Sequence, residues 1–397
     1  MKPVVEALEE RRLMSIVVGG LTKSLNLGGA PQPLSNMTSA TDALFNTFFF
    51  QIGSDHTLSY TSDQNRGQEH TGVPALSISA GTANGYAVVG VIKPDQSIWL
   101  YTPGEPFYTS NQQWTCLGGK ALSISVTNNA RGGLGGLGQV YVIGTDYNLY
   151  VQDSLYPRGW VCLGAPAPNG QRVSLETISA LAYTDNHFDD YSVCYALDSG
   201  GGVWECTLQD PVNLSRNGTS GETWSYLGGP NAVQIAASFD PNHNPIVYAL
   251  TYNQFNNVSV FDGGWTNLGG DALEISAARS DYGCAACHNT VFAVMDNHQV
   301  SVFDNSAFSD WSHVNTSTGP TWQSLGGYAG AITAEAADVV YAANADNYAS
   351  VYNNGWVSLQ MPQMNPSYVP LNYQPTPPAI LQASVVGTPP LPVQFQA

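Results

Sequence analysis

One phrase, Trp-x-x-Leu-Gly-Gly, recurs along the chain and restricts its fold more than any other feature. It stands at Trp114–Gly119, Trp224–Gly229, Trp265–Gly270 and Trp322–Gly327. Weaker copies begin at Trp160 and Trp356, and a copy without Trp, Leu25–Gly29, lies near the start. A run of small residues around an Ile follows most copies, as in Leu122–Val126, Glu176–Ala180, Val233–Ala237, Leu273–Ala277 and Gly330–Ala334; Leu76–Ala80 belongs to the same series. Self-similarity on this scale is the mark of a repeat architecture.

Two alternating strands come next in each unit, split by an Asp or Asn turn. The turn residues Asp55, Asp95, Asp146, Asp198, Asn253, Asp296 and Asp346 are spaced by 40, 51, 52, 55, 43 and 50 residues. That is the length of a propeller blade. Asp and Asn suit such turns because their side chains cap the local backbone and tolerate left-handed conformations. The pattern therefore predicts an all-β, seven-bladed β-propeller of four-stranded antiparallel blades over residues 21–360. Small residues fit the crowded innermost strand. Trp covers the wide outer end, and Leu-Gly-Gly reverses the chain towards the next inner strand. The copy at Trp356 has no unit after it and is expected to return to the first unit and close the ring.

Composition agrees with strands and turns. Forty Gly, 24 Pro and 21 Tyr stand against 11 % charged residues, while 43 % hydrophobic residues suffice for a core. A formal charge of −18 speaks against nucleic acid, which needs clustered Lys and Arg. No apolar run is long enough for a transmembrane helix.

The Trp phrase, the Ile-Ser stretch and the Val-Tyr-Val strand together resemble tectonin-type β-propeller repeats. That resemblance implies binding of glycans or lipopolysaccharide, or a scaffold role at microbial surfaces. Leu8–Ser15 is similar to the LEPR-xLL segment at the front of many secreted or surface proteins, with Glu10 and Met14 departing from its pattern. Residues 1–20 are accordingly read as an export or surface-associated leader, and the chain as extracellular or cell-surface. Residues 361–397 hold nine Pro and no charge, the composition of an extended tail or linker.

Signatures of catalysis are mostly absent from the sequence. Gly132–Gly138 completes no phosphate-binding fingerprint, and eight Arg in the whole chain do not recur with the repeat. Asp189-Asp190 reads as a solvated acidic loop rather than a calcium site, and no metal or cofactor is assigned. Cys116 and Cys162, two residues after their Trp, are expected as buried thiols. Cys194 and Cys206 flank a turn at Gly200, which leaves a disulfide open to them. Cys284-Ala-Ala-Cys287-His288 has the form of c-type haem attachment, although a local disulfide or two thiols suits its surroundings better.

Alignment of the third strands isolates Ser59, Trp99, Tyr150, Trp204, Ser259, Ser301 and Ser350. Aromatic residues at this position in three consecutive units make Trp99, Tyr150 and Trp204 the candidate carbohydrate-binding residues, because flat rings stack on the C–H faces of sugars; filling gaps between blades is the competing role. The sequence is thus read as a non-catalytic, lectin-like propeller for a glycan or envelope glycolipid. A surface scaffold with a protein partner is the alternative, and a c-type haem protein a more distant one.

Overall fold

A computed structural model of the chain describes residues 37–359 except 43–45, 54, 63–68, 84, 104–113, 128–137, 154–158, 185–189, 210–222, 230, 241, 243, 252–255, 279–289, 306–313, 315–318, 337–338, 344–348 and 354. The leader at 1–20, the Pro-rich stretch at 361–397 and the Cys284, Cys287 and His288 motif lie outside the described residues.

Short strands follow one another in simple up-and-down order. The first sheet holds β1 (Met37–Thr41), β2 (Thr47–Ile52), β3 (Thr57–Ser62) and β4 (Glu69–Pro74). Next comes a seven-stranded sheet of β5 (Ser77–Ala83), β6 (Tyr86–Ile92), β7 (Ser97–Tyr101), β8 (Trp114–Val126), β9 (Gln139–Gly144), β10 (Leu149–Asp153) and β11 (Val161–Gly164). Within it β8 serves twice: Trp114–Lys120 pairs with β7, and Ala121–Val126 pairs with β9. Four more four-stranded sheets follow. They are β12 (Leu175–Thr184) to β15 (Thr223–Gly228) through β13 (Asp190–Asp198) and β14 (Val203–Gln209), then β16 (Ala232–Phe239), β17 (Pro245–Thr251), β18 (Val258–Phe261) and β19 (Trp265–Gly269). The last two are β20 (Ala272–Ala277), β21 (Thr290–Met295), β22 (Val300–Asp304) and β23 (Gln323–Gly326), then β24 (Ala331–Ala336), β25 (Val339–Ala343), β26 (Ala349–Tyr352) and β27 (Trp356–Ser358). All described pairings are antiparallel, and the whole is a β-propeller of four-stranded units.

The core lies between sheets. Alternation along each strand sends one set of side chains to each neighbour. Tyr141, Leu149 and Leu163 meet Ile178, Cys194 and Cys206, for example, and Tyr248, Val258 and Leu268 meet Ile275, Val291 and Phe303. Two repeated hydrogen-bonding devices clamp these faces together.

At the outside, each phrase Trp from Trp160 onwards reaches back to the Leu of the preceding phrase. The Nε1–H of Trp160 donates to the Leu117 carbonyl at 3.1 Å, Trp224 to Leu163 at 3.3 Å, Trp265 to Leu227 at 2.7 Å, Trp322 to Leu268 at 3.0 Å and Trp356 to Leu325 at 2.8 Å. The glycines after that Leu leave room for the ring. Gly327 has φ +76°, and a Cβ there would lie 2.8 Å from Trp356. One phrase is thus both the plug of its own sheet and the socket for the next.

Near the axis, a hydroxyl of one inner strand accepts a backbone N–H of the next. Ala80 donates to Thr38 Oγ1 at 2.9 Å, Val126 to Ser79 Oγ at 2.9 Å, Ala180 to Ser125 Oγ at 3.0 Å, Ala237 to Ser179 Oγ at 3.0 Å and Ala334 to Ser276 Oγ at 2.9 Å. Inner strands too close for large side chains would otherwise bury unpaired N–H groups, at about 1–3 kcal/mol each. Where Ala236 replaces the serine, Gln234 takes over: its Oε1 accepts the Ile275 N–H and its Nε2 donates to the Ile275 carbonyl, both at 3.0 Å. Glu274 occupies the next copy of that position and accepts the Ile332 N–H at 3.4 Å.

Ring closure differs from the expectation for Trp356. Its strand β27 pairs with β26 inside the last sheet, and the indole packs on the sheet before it. Closure comes instead from face packing, with Phe49 stacked on Tyr341 at 5.1 Å between ring centroids and Met37 and Val351 alongside. A Trp that must plug the preceding Leu-Gly phrase is not free to serve the first sheet.

Two predictions test these junctions. Gly327→Ala is expected to destabilise the protein by about 2–5 kcal/mol, from a left-handed backbone plus a clash with Trp356. Gly263→Ala is the control: Gly263 also has positive φ but nothing within 4 Å, and it should cost only about 1–2 kcal/mol; equal midpoints in urea would refute the socket. The second concerns Glu274, which is half-buried. Burial pushes its carboxyl from 4.5 up to about 8, and the Ile332 N–H only partly offsets this. The folded state therefore favours the protonated acid. Its stability contribution is full below about pH 4 and declines as pH rises towards 8. Glu274→Gln copies the Gln234 arrangement, so the variant's advantage in melting temperature should grow from pH 5 to pH 8. A pH-independent difference would show that the carboxyl does not titrate in this range.

Candidate functional site

Because the units run up and down, the turn between second and third strands and the crossover to the next unit share one rim. Hydrogen bonds tie them together. The N–H groups of Ala75, Ala121, Ala232, Ala272 and Ala329 donate at 2.9–3.1 Å to the carbonyls of His56, Gln96, Gly201, Asn256 and His298. Each acceptor has positive φ, and each alanine is at most 4 % exposed. These alanines open a recurring Ala-x-x-Ile, a signal the Ile-Ser stretch alone does not include, and a larger side chain there would push the crossover off the turn.

Asp side chains brace the same turns. Asp55, Asp95, Asp146 and Asp198 each accept a backbone N–H two residues ahead, as the repeat suggested. Around Asp296 the capping side chain is instead Asn297, whose Oδ1 accepts the Gln299 N–H.

Trp99, Tyr150 and Trp204 all lie at this rim, and each is tied to its turn. The Trp99 indole donates to Ser97 Oγ at 2.9 Å, and Ser97 donates to Asp95. The Tyr150 hydroxyl and the Trp204 indole donate to Asp146 and Asp198, both at 2.7 Å. Burial, followed by the neighbouring carboxylate, pushes the Tyr150 hydroxyl well up. Burial works in the opposite sense to hydrogen bonding at Asp146, where the bonds from Tyr150 and Asn148 prevail and hold the carboxyl below its ordinary value. Tyr150 and Trp204 are each 7 % exposed, so their own faces are largely covered. Trp99 is half-buried, with the Lys93 ammonium 3.5 Å from its ring centroid.

What covers them comes from the fourth strand. Register sets Trp99 opposite Cys116, Tyr150 opposite Cys162 and Trp204 opposite Tyr226. Elsewhere the pairs are polar, such as Ser59 with His70, Oγ to Nδ1 2.8 Å, and Ser301 with Ser324. Tyr226 was missed by an alignment restricted to third strands, because its partner in the pair lies in the strand before it. It is 61 % exposed, and Tyr147 and Tyr328, also at this rim, are 45 % and 60 % exposed.

The cysteines divide differently from expectation. Cys116 and Cys162 are exposed free thiols, since the second residue after Trp points away from the inter-sheet core. Cys194 and Cys206 are register partners across β13 and β14, as the flanked turn suggested, but they form no disulfide and remain buried thiols filling the apolar layer beside Tyr141. Burial pushes the Cys194 thiol up. Among the described residues no three His, Cys, Asp or Glu side chains converge to hold a metal, and no helix is long and apolar enough to cross a membrane.

The sheets together define a β-propeller. The BP39L lectin from Burkholderia pseudomallei superposes with a TM-score of 0.53 at 14 % identity, over 83 % of this chain and 100 % of that one. AofleA from Arthrobotrys oligospora gives 0.43 at 14 % identity, over 60 % and 74 %, and human WBSCR16 gives 0.47 at 11 %, over 81 % and 94 %. At such identities the likeness is one of fold. The sequence matches no protein-family model and no curated protein.

Thiol labelling checks the placement of the cysteines. Iodoacetamide on the native protein, followed by peptide mass mapping, should modify Cys116 and Cys162 while sparing Cys194 and Cys206 until denaturant is added. Native labelling of Cys194 would contradict the buried layer.

Proposed function

We propose that this chain is a seven-bladed propeller, exported to the extracellular space or cell surface, that binds carbohydrate or envelope glycolipid without catalysis. The seven-stranded sheet counts as two blades sharing β8, and an apolar layer lies at each junction, including the closing one between Phe49 and Tyr341. One observation carries the binding assignment: a single rim collects the turn carboxylates, the aromatic bed of Trp99, Tyr150 and Trp204, and the exposed Tyr147, Tyr226 and Tyr328. Aromatic rings with one open face and polar groups alongside are the surface that sugars use, apolar C–H face down. The lectin BP39L shares the architecture, which supports the reading at the level of fold.

Export agrees with the low charge and with the segment at Leu8–Ser15. A scaffold with a protein partner is the outcome to expect if sugars fail.

The purified chain on a glycan array should bind a limited set of structures. Replacing Tyr147, Tyr226 and Tyr328 together by Ser, all at exposed positions, should weaken binding by roughly tenfold or more in a variant still folded at the assay temperature. An empty array for the folded wild-type protein would exclude the lectin reading.

A further inference from the structure

The rim is not equivalent from sheet to sheet. Among the cross-strand pairs at the aromatic position, Trp204 with Tyr226 is the one in which both members are aromatic. Their ring centroids lie 4.6 Å apart at 42°. Trp204 is buried and pinned through its indole N–H to Asp198, whose other oxygen accepts the Gly200 and Gly202 N–H groups at 2.8 and 2.9 Å. Gly202 makes room for the second ring, since a Cβ there would sit 3.0 Å from Tyr226 Cε2. The result is a Tyr ring supported from beneath by an anchored indole, with most of its surface open to solvent. An aromatic held this way loses little conformational freedom on binding.

Charge narrows the ligand. The turns and crossovers of this rim bring Asp55, Asp95, Asp146, Asp198, Asp271 and Asp296, while the described basic groups are Lys93, Lys120 and Arg172. Lys93 is already engaged over Trp99, and the chain as a whole carries −18. A phosphorylated, sulfated or carboxylated sugar approaching this surface meets like charge.

We infer that Tyr226, seated on Trp204 in the β12–β15 sheet, is a single carbohydrate subsite that takes a neutral pyranoside through an apolar C–H face and disfavours anionic glycans. The inference rests on the proposed lectin reading and sharpens it: recognition is concentrated in one sheet instead of repeated around the ring. A lone stacking platform of this kind is weak, with dissociation constants on the order of a millimolar, and gains strength only when chains are clustered.

The test is titration of the full chain with neutral methyl pyranosides and oligosaccharides identified on the array, alongside their sulfated or sialylated counterparts. Calorimetry should give one site per chain. Tyr226→Phe should keep affinity within roughly threefold, while Tyr226→Ser should lose roughly tenfold or more with both variants folded at the titration temperature, the Ser variant melting somewhat lower because it uncovers Trp204. Val357→Ser, at an exposed position of β27 that the binding assignment does not use, should bind as wild type. Neutral-sugar binding that survives Tyr226→Ser, several equivalent sites per chain, or a preference for the anionic series would each overturn this inference while leaving the lectin reading in place. Absence of any sugar binding by the folded wild-type chain would overturn both.

Discussion

Everything in this molecule hangs on how one sheet is fastened to the next. A sheet of four short strands has two apolar faces and cannot stand alone. Here each face is covered by a neighbour, and most of these contacts are clamped at both radii by hydrogen bonds from specific residues. The outer clamp is an indole N–H on a Leu carbonyl, and the inner one is a Ser or Thr hydroxyl under a backbone N–H. Because the same phrase supplies plug and socket, a chain built from copies of it propagates until the last copy meets the first.

The junctions also explain where the chain varies. At the inner radius the hydroxyl gives way to Gln234, and a copy later to Glu274, whose carboxylic acid stands where an amide bonds in both directions. Closure between the last sheet and the first uses aromatic stacking of Phe49 and Tyr341 in place of the Trp clamp. These substitutions keep the spacing while changing the chemistry, so the ring tolerates them at a cost in stability rather than in shape.

Tight junctions leave the rim as the place where side chains are free to vary. Turn carboxylates recur there because the hairpins need them, and the aromatic residues beside them are bonded to those carboxylates. Trp204 thus makes two contacts at once: it spends its N–H on Asp198 and lends its face to Tyr226. What lies over each of these aromatic residues is set by the fourth strand, Cys116 and Cys162 beside Trp99 and Tyr150 and Tyr226 beside Trp204.

Periodicity alone specified much of this protein. The recurrence of Trp-x-x-Leu-Gly-Gly, the Ile-Ser stretch and the Asp turns determined strand order, the small inner strand, the Trp-bearing outer strand and the shared third-strand position of Trp99, Tyr150 and Trp204, because each depends on spacing within one unit. The tertiary structure decided what depends on a neighbouring strand or sheet. It turned Cys116 and Cys162 outward, left Cys194 and Cys206 as thiols in an apolar layer, sent Trp356 back to its predecessor, and set Tyr226 over Trp204. Local pattern encodes which face a residue takes, whereas what that face meets is settled only when the neighbouring strand or sheet arrives.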